Sequence, residues 1–435
     1  MPDDFTAKVA ARDTIVGVVG LGYVGLPLAI AYAEAGFQTV GFDVDRERAA
    51  ALNRGFSHID DVVPSRVAAM VDAGRFSATA SPDALRPVDA VFICVPTPFD
   101  RSRTPDLSYV RAATQTVANI LRPGMLVILQ STTYPGTPTE VVQPLLEAGG
   151  LTAGVDFHLA FSPERVDPGN EVWTVRNTPK VVGGLTPECT EWARAALEAV
   201  MDAPGLVRVV DTPETAEMAK LLENTYRAVN IALVNELAML AHEMGIDVWE
   251  VIEAAATKPF GFEAFYPGIG PGGHCIPVDP HYLSWKAHEY DFQTKFIEIA
   301  TDINSGMARY VLRRVHELMN RRGITLRGAR VLCLGAAFKP GVSDVRNSRA
   351  LRVMELLEEA GANVEFTDVR VPSVILAGTE RKAFPLQDVV AAGFDLVVVL
   401  VHSPDWPLAD LEAARVPVFD AVNAAGGEGR HRERL

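Results

Sequence analysis

Residues Gly20 to Gly25 read GLGYVG and lie between a short β-rich run, Thr14 to Val19, and an Ala- and Leu-rich helical stretch that reaches Gly36. A second apolar run, Thr39 to Phe42, ends at Asp43, 23 residues after the first glycine. Alone, GxGxxG is frequent by chance. Between a strand and a helix, with an acid closing the next strand, it marks the opening unit of a doubly wound parallel α/β fold. Gly20 permits the tight turn, Gly22 lets backbone approach a pyrophosphate, and Gly25 lets the helix pack on the strand. The helix N-terminus adds N–H donors and a partial positive charge. An acid at Asp43 suits the free ribose diol of NAD and repels a 2′-phosphate.

Further strands are expected at Ala90 to Val95 and Leu126 to Leu129, delivering Thr97 and the cluster Ser131, Thr132 and Thr133 to the carboxyl edge, where open α/β sheets bind ligands. Thr212 to Met244 then runs without internal Gly or Pro beyond Pro213, which suits a first helical turn. At 1.5 Å per residue such a helix is about 50 Å long, a length suited to linking domains and packing against a partner. A second helical stretch, Phe292 to Arg322, follows a Gly/Pro-rich loop, Tyr266 to Pro280. From Arg330 the opening pattern recurs: RVLCLG resembles the first strand, Ala360 to Asp368 parallels Ala35 to Asp43, and Asp395 to Val401 parallels Asp89 to Val95. The second glycine turn is reduced to GAAFK, Gly335 to Lys339, without the close-approach glycines. The expected fold is α/β, with two Rossmann-like doubly wound domains joined by a long central helix and a helical dimerisation segment. The expected division is 1–205 for NAD, 206–324 for a central helical part carrying the cysteine loop, and 325–435 for the second nucleotide-binding part.

The chain has 435 residues, with 40 Lys plus Arg against 55 Asp plus Glu, and the net charge of −15 argues against a dedicated nucleic-acid binder. The start, MPDDFTAKVAARD, lacks the apolar core of a secretion signal, and no apolar run approaches the roughly 20 residues that span a bilayer. A cytoplasmic protein with no membrane or nucleic-acid partner is therefore expected. The four cysteines, Cys94, Cys189, Cys275 and Cys333, form no CxxC pair, so neither a disulfide framework nor a metal site is expected. His274 and His281 have no zinc spacing. Cys94, Cys189 and Cys333 read as packing residues. Cys275 differs, because Gly268, Gly270, Gly272 and Gly273 precede it and Asp279 follows four positions later. If a helix begins after those glycines, Cys275 and Asp279 share a face and the helix N-terminus favours thiolate. Pro277 fits only the first turn of such a helix. Lys220 and Asn224 are spaced i, i+4; an active face and a solvated face both remain open for them.

In chain order, GLGYVGLP, CVPTP, STTYPGT, FSPERVDPG, KLLENTYRAVNIALVNE, GGHCIPVDP and FKPGVSDVRNS resemble the UDP-glucose/UDP-N-acetylhexosamine 6-dehydrogenases. ERVDPG and ATKPFGF are more similar to the bacterial enzymes acting on UDP-N-acetylglucosamine or UDP-N-acetylmannosamine than to those acting on UDP-glucose. The resemblance implies a homodimeric enzyme that oxidises a sugar C6 alcohol to a carboxylate with two NAD, through a thiohemiacetal and a thioester on Cys275. It implies that Lys220, assisted by Asn224, stabilises the oxyanion and that Asp279 positions or deprotonates water. Glu164 would serve in thioester hydrolysis, and Thr132 would order water near the nicotinamide. The implied cofactor contacts are Gly20, Gly22, Tyr23, Val24, Gly25 and Asp43, with Arg48, Thr97, Thr132 and Arg346. The implied substrate contacts begin with Glu164, Arg165, Val166, Lys220 and Asn224. They continue with Lys258, Phe265, Tyr266, Gly268, Gly272 and Lys339.

Three departures stand out. Pro168 replaces a second glutamate of the UDP-glucose enzymes, Lys258 stands about one position from the place of a partner-derived arginine, and Val278 replaces a lysine of some members. The first two fall near the sugar and suit an enlarged 2-acetamido pocket. Configuration at the sugar C2 and the polysaccharide pathway served are not encoded in these motifs. A UDP-glucose enzyme, a non-catalytic sugar-nucleotide sensor and a two-electron hydroxyacid-type dehydrogenase are the alternatives.

Overall fold

The computed structural model describes residues 2–100, 104–273, 275–427 and 429–435. The chain forms two compact units, one running to Glu223 and taking in Trp285–Phe292, the other comprising Asn224–Ser284 and Gln293–Leu435.

The first unit is built on eight strands: β1 (Ile15–Val19), β2 (Gln38–Phe42), β3 (Phe76–Thr79), β4 (Ala90–Ile93), β5 (Leu126–Leu129), β6 (His158–Phe161), β7 (Lys180–Gly184) and β8 (Val207–Val209). Their order is β3-β2-β1-β4-β5-β6-β7-β8. The pairings from β3 through β6 are parallel, β7 is antiparallel to β6, and β8 is parallel to β7. β4 and β5 are buried at every position, as strands covered on both faces must be, which is why they read as continuous apolar runs. The first helix after β1, Gly25–Glu34, is buried from Gly25 to Ala33 except at Pro27, and the Tyr32 hydroxyl donates to the Ala196 carbonyl at 2.9 Å.

Two glycines set the β1 turn. Gly20 has φ +92°, and a Cβ there would lie 2.6 Å from the Cys94 carbonyl oxygen. A Cβ on Gly25 would lie 1.8 Å from the Gly20 oxygen. Sequence patterning missed the helix Pro2–Ala11. It is held by tertiary contact: Phe5 stacks on Trp192 at 4.3 Å between ring centroids, and Val9 is buried beside it.

The second unit repeats the plan with fewer strands: β9 (Arg330–Leu334), β10 (Asn363–Thr367), β11 (Ser373–Leu376), β12 (Thr379–Lys382), β13 (Leu396–Val399), β14 (Val418–Asp420) and β15 (Arg432–Arg434). The sheet β10-β9-β13-β14-β15 is parallel throughout, and β11 with β12 forms a separate antiparallel hairpin. The repeat extends to hydrogen bonding. Asp43 Oδ2 accepts from the Leu21 amide at 3.0 Å, and Asp368 Oδ2 accepts from the Ala336 amide at 2.7 Å. Each acid closes the turn after the first strand of its sheet. Two Rossmann-like sheets and a helical central segment are thus present, as the sequence leads one to expect.

The long helix spans Pro213–Met244, with Thr212 before it accepting from the Thr215 amide through Oγ1 at 3.2 Å. The second helical stretch is Lys295–Arg321. Within the second unit these helices are pinned by a buried amide chain. Asn235 Nδ2 donates to Asn304 Oδ1 at 2.9 Å, Asn304 Nδ2 donates to the Ala228 carbonyl at 3.0 Å, and Asn235 Oδ1 accepts from the Gly268 amide at 2.9 Å. Asn235→Ala leaves two buried polar groups unpaired, a cost on the order of 2 kcal/mol or more. A fall of roughly 4–8 °C in melting temperature is expected by calorimetry; an unchanged midpoint would remove the network from the stabilising interactions.

Candidate active site

The end of β1 meets the end of β4 at the point where strand order reverses, the ligand-binding crevice of this fold class. Three observations fit a dinucleotide there. The helix Gly25–Glu34 has no acidic residue in its first turn and no capping side chain, so no side-chain charge offsets the partial positive charge of its N-terminus. A Cβ on Gly22 would meet nothing within 4 Å, so the bare backbone at that position answers no packing need of the chain. Asp43 is buried, with Oδ1 accepting from the Asp45 amide at 3.0 Å and Arg48 Nη1 at 3.0 Å from Oδ2. Of the other expected cofactor residues, Thr97 is buried, Tyr23 is exposed and Thr132 is half-buried. The Ser131 hydroxyl accepts from the Val95 amide at 2.9 Å and so braces the chain leading to Thr97.

After β6 the chain turns at Glu164, which is 6% exposed. Its Oε1 accepts from the amides of Arg165 at 2.9 Å and Val166 at 3.1 Å. Its Oε2 accepts from Gln130 Nε2 at 2.9 Å and Lys180 Nζ at 3.1 Å. Its backbone carbonyl accepts from Lys220 Nζ. Burial alone would push the carboxyl up, but Lys180, the Arg165 amide and Lys220 together hold it below the usual glutamate range. Lys220 is only 8% exposed, which decides against a solvated helix face. One turn earlier, Glu217 is buried, accepting from Thr133 Oγ1 at 2.9 Å and the Gly136 amide at 2.7 Å, and desolvation pushes its carboxyl well up. Arg165 pairs with Glu223 at 2.7 Å.

In the second unit a helix begins at Cys275 and runs to Ala287, so the condition set by the sequence is met: Cys275 and Asp279 are one turn apart and Pro277 falls in the first turn. The helix continues through Pro280, which the sequence assigned to the loop. Asp279 is buried, and Asn224 Nδ2 donates to its Oδ2 at 2.6 Å. His274 lies outside the described residues. Cys275 is exposed whereas Cys94, Cys189 and Cys333 are buried. Burial pushes the Cys94 and Cys333 thiols far up, which keeps them protonated.

The loop before Cys275 is held by the segment after β9. The Gly273 amide donates to the Arg346 carbonyl at 3.2 Å, and Asn347 Nδ2 donates to the Gly273 carbonyl at 3.1 Å. Gly273 has φ +82°, and a Cβ there would lie 2.8 Å from the Phe338 ring. Among the remaining expected residues, Arg346 pairs with Asp344, Lys339 Nζ lies 5.8 Å from the Phe338 centroid, and exposed Lys258 lies 5.0 Å from that of Phe260. Phe265 packs edge-on to Tyr226, and Tyr266 stacks on Trp249. Gly272 is half-buried and Gly268 is bonded to Asn235 as above.

The structure thus joins Glu164 to Lys220 in one unit and Asn224 to Asp279 in the other. Lys180, Gln130, Glu217 and Asn347 were missed by sequence reasoning. None has a partner at helical or strand spacing, so only the fold could reveal them.

The glycine turn yields a paired expectation. Gly22→Ala meets no protein atom, so the melting temperature should hold while the NAD dissociation constant, read by calorimetric titration, rises at least about tenfold. Gly25→Ala strikes backbone and should lower stability by about 1–3 kcal/mol or more. Unimpaired NAD binding by Gly22→Ala would remove the turn from the cofactor site.

Three models of the UDP-glucose/GDP-mannose dehydrogenase family match the chain: the NAD binding domain over residues 14–201, the central domain over 214–306, and the UDP binding domain over 332–425. The chain is 38% identical over 358 residues to a UDP-N-acetyl-D-glucosamine 6-dehydrogenase of Pseudomonas aeruginosa, covering 82% of this chain and 83% of that one. It is 35% identical over 399 residues to a UDP-N-acetyl-D-mannosamine dehydrogenase of Pyrococcus horikoshii, covering 92% and 91%. A solved UDP-N-acetylmannosamine dehydrogenase structure from Pyrococcus horikoshii superposes with TM-score 0.88 at 33% identity, covering 97% of this chain and 98% of that one. With an NAD crevice, a UDP-binding half and an intact cysteine helix, the chain belongs to the UDP-glucose/GDP-mannose dehydrogenase family of NAD-dependent nucleotide-sugar dehydrogenases.

Proposed function

We propose that this enzyme oxidises the C6 hydroxyl of UDP-N-acetylglucosamine to the carboxylate, with Cys275 as the covalent nucleophile. Oxidation of a UDP-N-acetylhexosamine at C6 is the activity that the family and the relatives support. The observation that carries the covalent step is the setting of Cys275: exposed, first in its helix, and one turn before a buried Asp279 bonded to Asn224.

NAD held at the Gly20–Gly25 turn would supply a hydride acceptor for each of the two oxidations, a second molecule replacing the first, and the hydroxyl proton lost in each would pass to water. The chain's own groups do the remaining work. Lys220 offers its ammonium to the C6 oxygen as negative charge develops there. The Cys275 thiolate adds to the C6 aldehyde, forming a C–S bond and a thiohemiacetal whose oxygen takes a proton. After the second oxidation the C–S bond is part of a thioester. Water attacks it, Asp279 accepts the water proton, the C–S bond breaks, and the thiolate is restored. Asn224, donating to Asp279 Oδ2, holds that carboxylate in place. Both Glu164 oxygens already accept hydrogen bonds, so its part in hydrolysis is to hold the loop and Lys220. A compartment that keeps Cys275 reduced, such as the cytoplasm, suits this chemistry, and no helix among the described residues is long and apolar enough to cross a membrane.

The long helix also presents Tyr226, Leu233, Leu237, Leu240 and Met244 exposed along one stripe. A second copy of the chain is the proposed cover for this stripe. Leu237→Asp should convert a dimeric mass in light scattering to a monomeric one; a monomeric wild type would end the proposal.

Wild-type enzyme should form two NADH per UDP-N-acetylglucosamine. Cys275→Ser should still bind both ligands but lose acid formation by at least ~10³-fold, because a serine hydroxyl is hardly ionised at neutral pH. Full acid formation by that variant would overturn the covalent route. The Pyrococcus horikoshii relatives favour UDP-N-acetylmannosamine as a second reading, and kcat/KM across both sugars, UDP-N-acetylgalactosamine and UDP-glucose decides between them.

A further inference from the structure

Lys180, on β7, is 2% exposed at its side chain, and its ammonium meets Glu164 Oε2 at 3.1 Å. A lysine is almost never so deeply buried without a partner, because stripping its hydration costs more than a lone contact returns. Nothing in the proposed chemistry uses it directly. We propose that Lys180 is a positioning residue for the oxidation: together with Gln130 it holds Glu164 as a fixed, ionised anchor, so that the Glu164 backbone carbonyl holds the ammonium of Lys220.

The geometry is a closed chain of contacts. The Cys94 thiol donates to Gln130 Oε1 at 3.4 Å, which leaves Gln130 Nε2 facing the carboxylate at 2.9 Å. The amides of Arg165 and Val166 occupy Oε1, so the carboxylate fixes the loop beyond it. The same residue's carbonyl then receives Lys220. The charged and titratable groups facing Glu164 are Lys180 on β7, Lys220 on the long helix and the Cys94 thiol after β4, which burial first and Glu164 second push up, so that it stays neutral. Four donors surround the carboxylate, and each favours the charged form. Removing the Lys180 charge leaves burial opposed by fewer of them, and the carboxyl takes up a proton nearer neutral pH. A protonated Glu164 must turn an O–H toward a donor, which loosens the loop and the seat of Lys220.

The inference rests on the proposed function, and wild-type activity is its control. An enzyme inert toward every nucleotide sugar fails that reading, whereas an active wild type allows the present test. The kcat of wild type, Lys180→Met, Lys180→Arg, Glu164→Gln and the double variant Lys180→Met/Glu164→Gln is measured between about pH 6 and 9 at saturating NAD and sugar nucleotide. Lys180→Met should lose about tenfold or more at pH 7, with its acid limb moved up by about one unit or more, so that activity recovers as pH rises. KM for NAD should stay within about threefold, since none of these groups belongs to the glycine turn. Lys180→Arg should restore most of the rate and the wild-type limb. The double variant should be no slower than Glu164→Gln, as expected of residues acting through one another. A Lys180→Met profile parallel to the wild type, or additive loss in the double variant, overturns the proposal. Where Lys180→Met does not accumulate as folded protein, Lys180→Gln keeps a donor without the charge, and an unshifted acid limb in that variant overturns it equally.

Discussion

The contact on which the nucleotide-binding part depends is the approach of two backbones at the end of β1. Gly25 sits against the Gly20 carbonyl so closely that a methyl group would occupy the same space, and a Cβ on Gly20 would in turn lie 2.6 Å from the Cys94 carbonyl oxygen. This close approach brings the first turn of the helix Gly25–Glu34 up to the strand ends, with its partial positive charge at the crevice. It also accounts for Cys94 as a small buried side chain at that junction. Asp43 completes the arrangement by closing the turn through the Leu21 amide.

The same device is used twice with different results. In the second unit Asp368 closes the turn after β9, through the Ala336 and Ala337 amides, yet that turn lacks the close-approach glycines. The segment beyond that turn serves another purpose. Asn347, held at φ +50°, donates to the Gly273 carbonyl and the Arg346 carbonyl accepts from the Gly273 amide, two residues before Cys275. The second nucleotide-binding part therefore sets the entry to the cysteine helix through hydrogen bonds to the main chain of Gly273.

Charge burial is the second organising theme. The net charge is −15, yet two cations are taken out of water and held inside the first unit. Lys220 and Lys180 are both almost fully buried, and both are satisfied by one residue, Glu164, through its carbonyl and its carboxylate. In a site of low effective dielectric such groups act strongly on developing charge but tolerate the loss of a partner poorly.

Much of this was legible from residues alone. The glycine turn, the acid 23 positions later and the apolar runs determined β1, β2, β4 and β5 of the first sheet, because close backbone approach and two-sided burial each restrict residue type at fixed positions; β3, β6, β7 and β8 came from the structure. The recurrence after Arg330 determined β9, β10 and β13 of the second sheet through their apolar runs, while β14 and β15 came from the structure. Helical spacing placed Cys275 with Asp279 and Lys220 with Asn224, since four residues make about one turn. Tertiary structure decided what spacing cannot encode. It buried Lys220, though a lysine on a helix face is usually solvated, and it drew Lys180, Gln130 and Glu217 from distant strands and helices onto their partners. It carried the cysteine helix through Pro280, whereas the exposure of Cys275 beside three buried cysteines agrees with what their sequence settings already imply. Those outcomes depend on which surfaces meet after the sheets form, and desolvation at such contacts has no local signature in the chain.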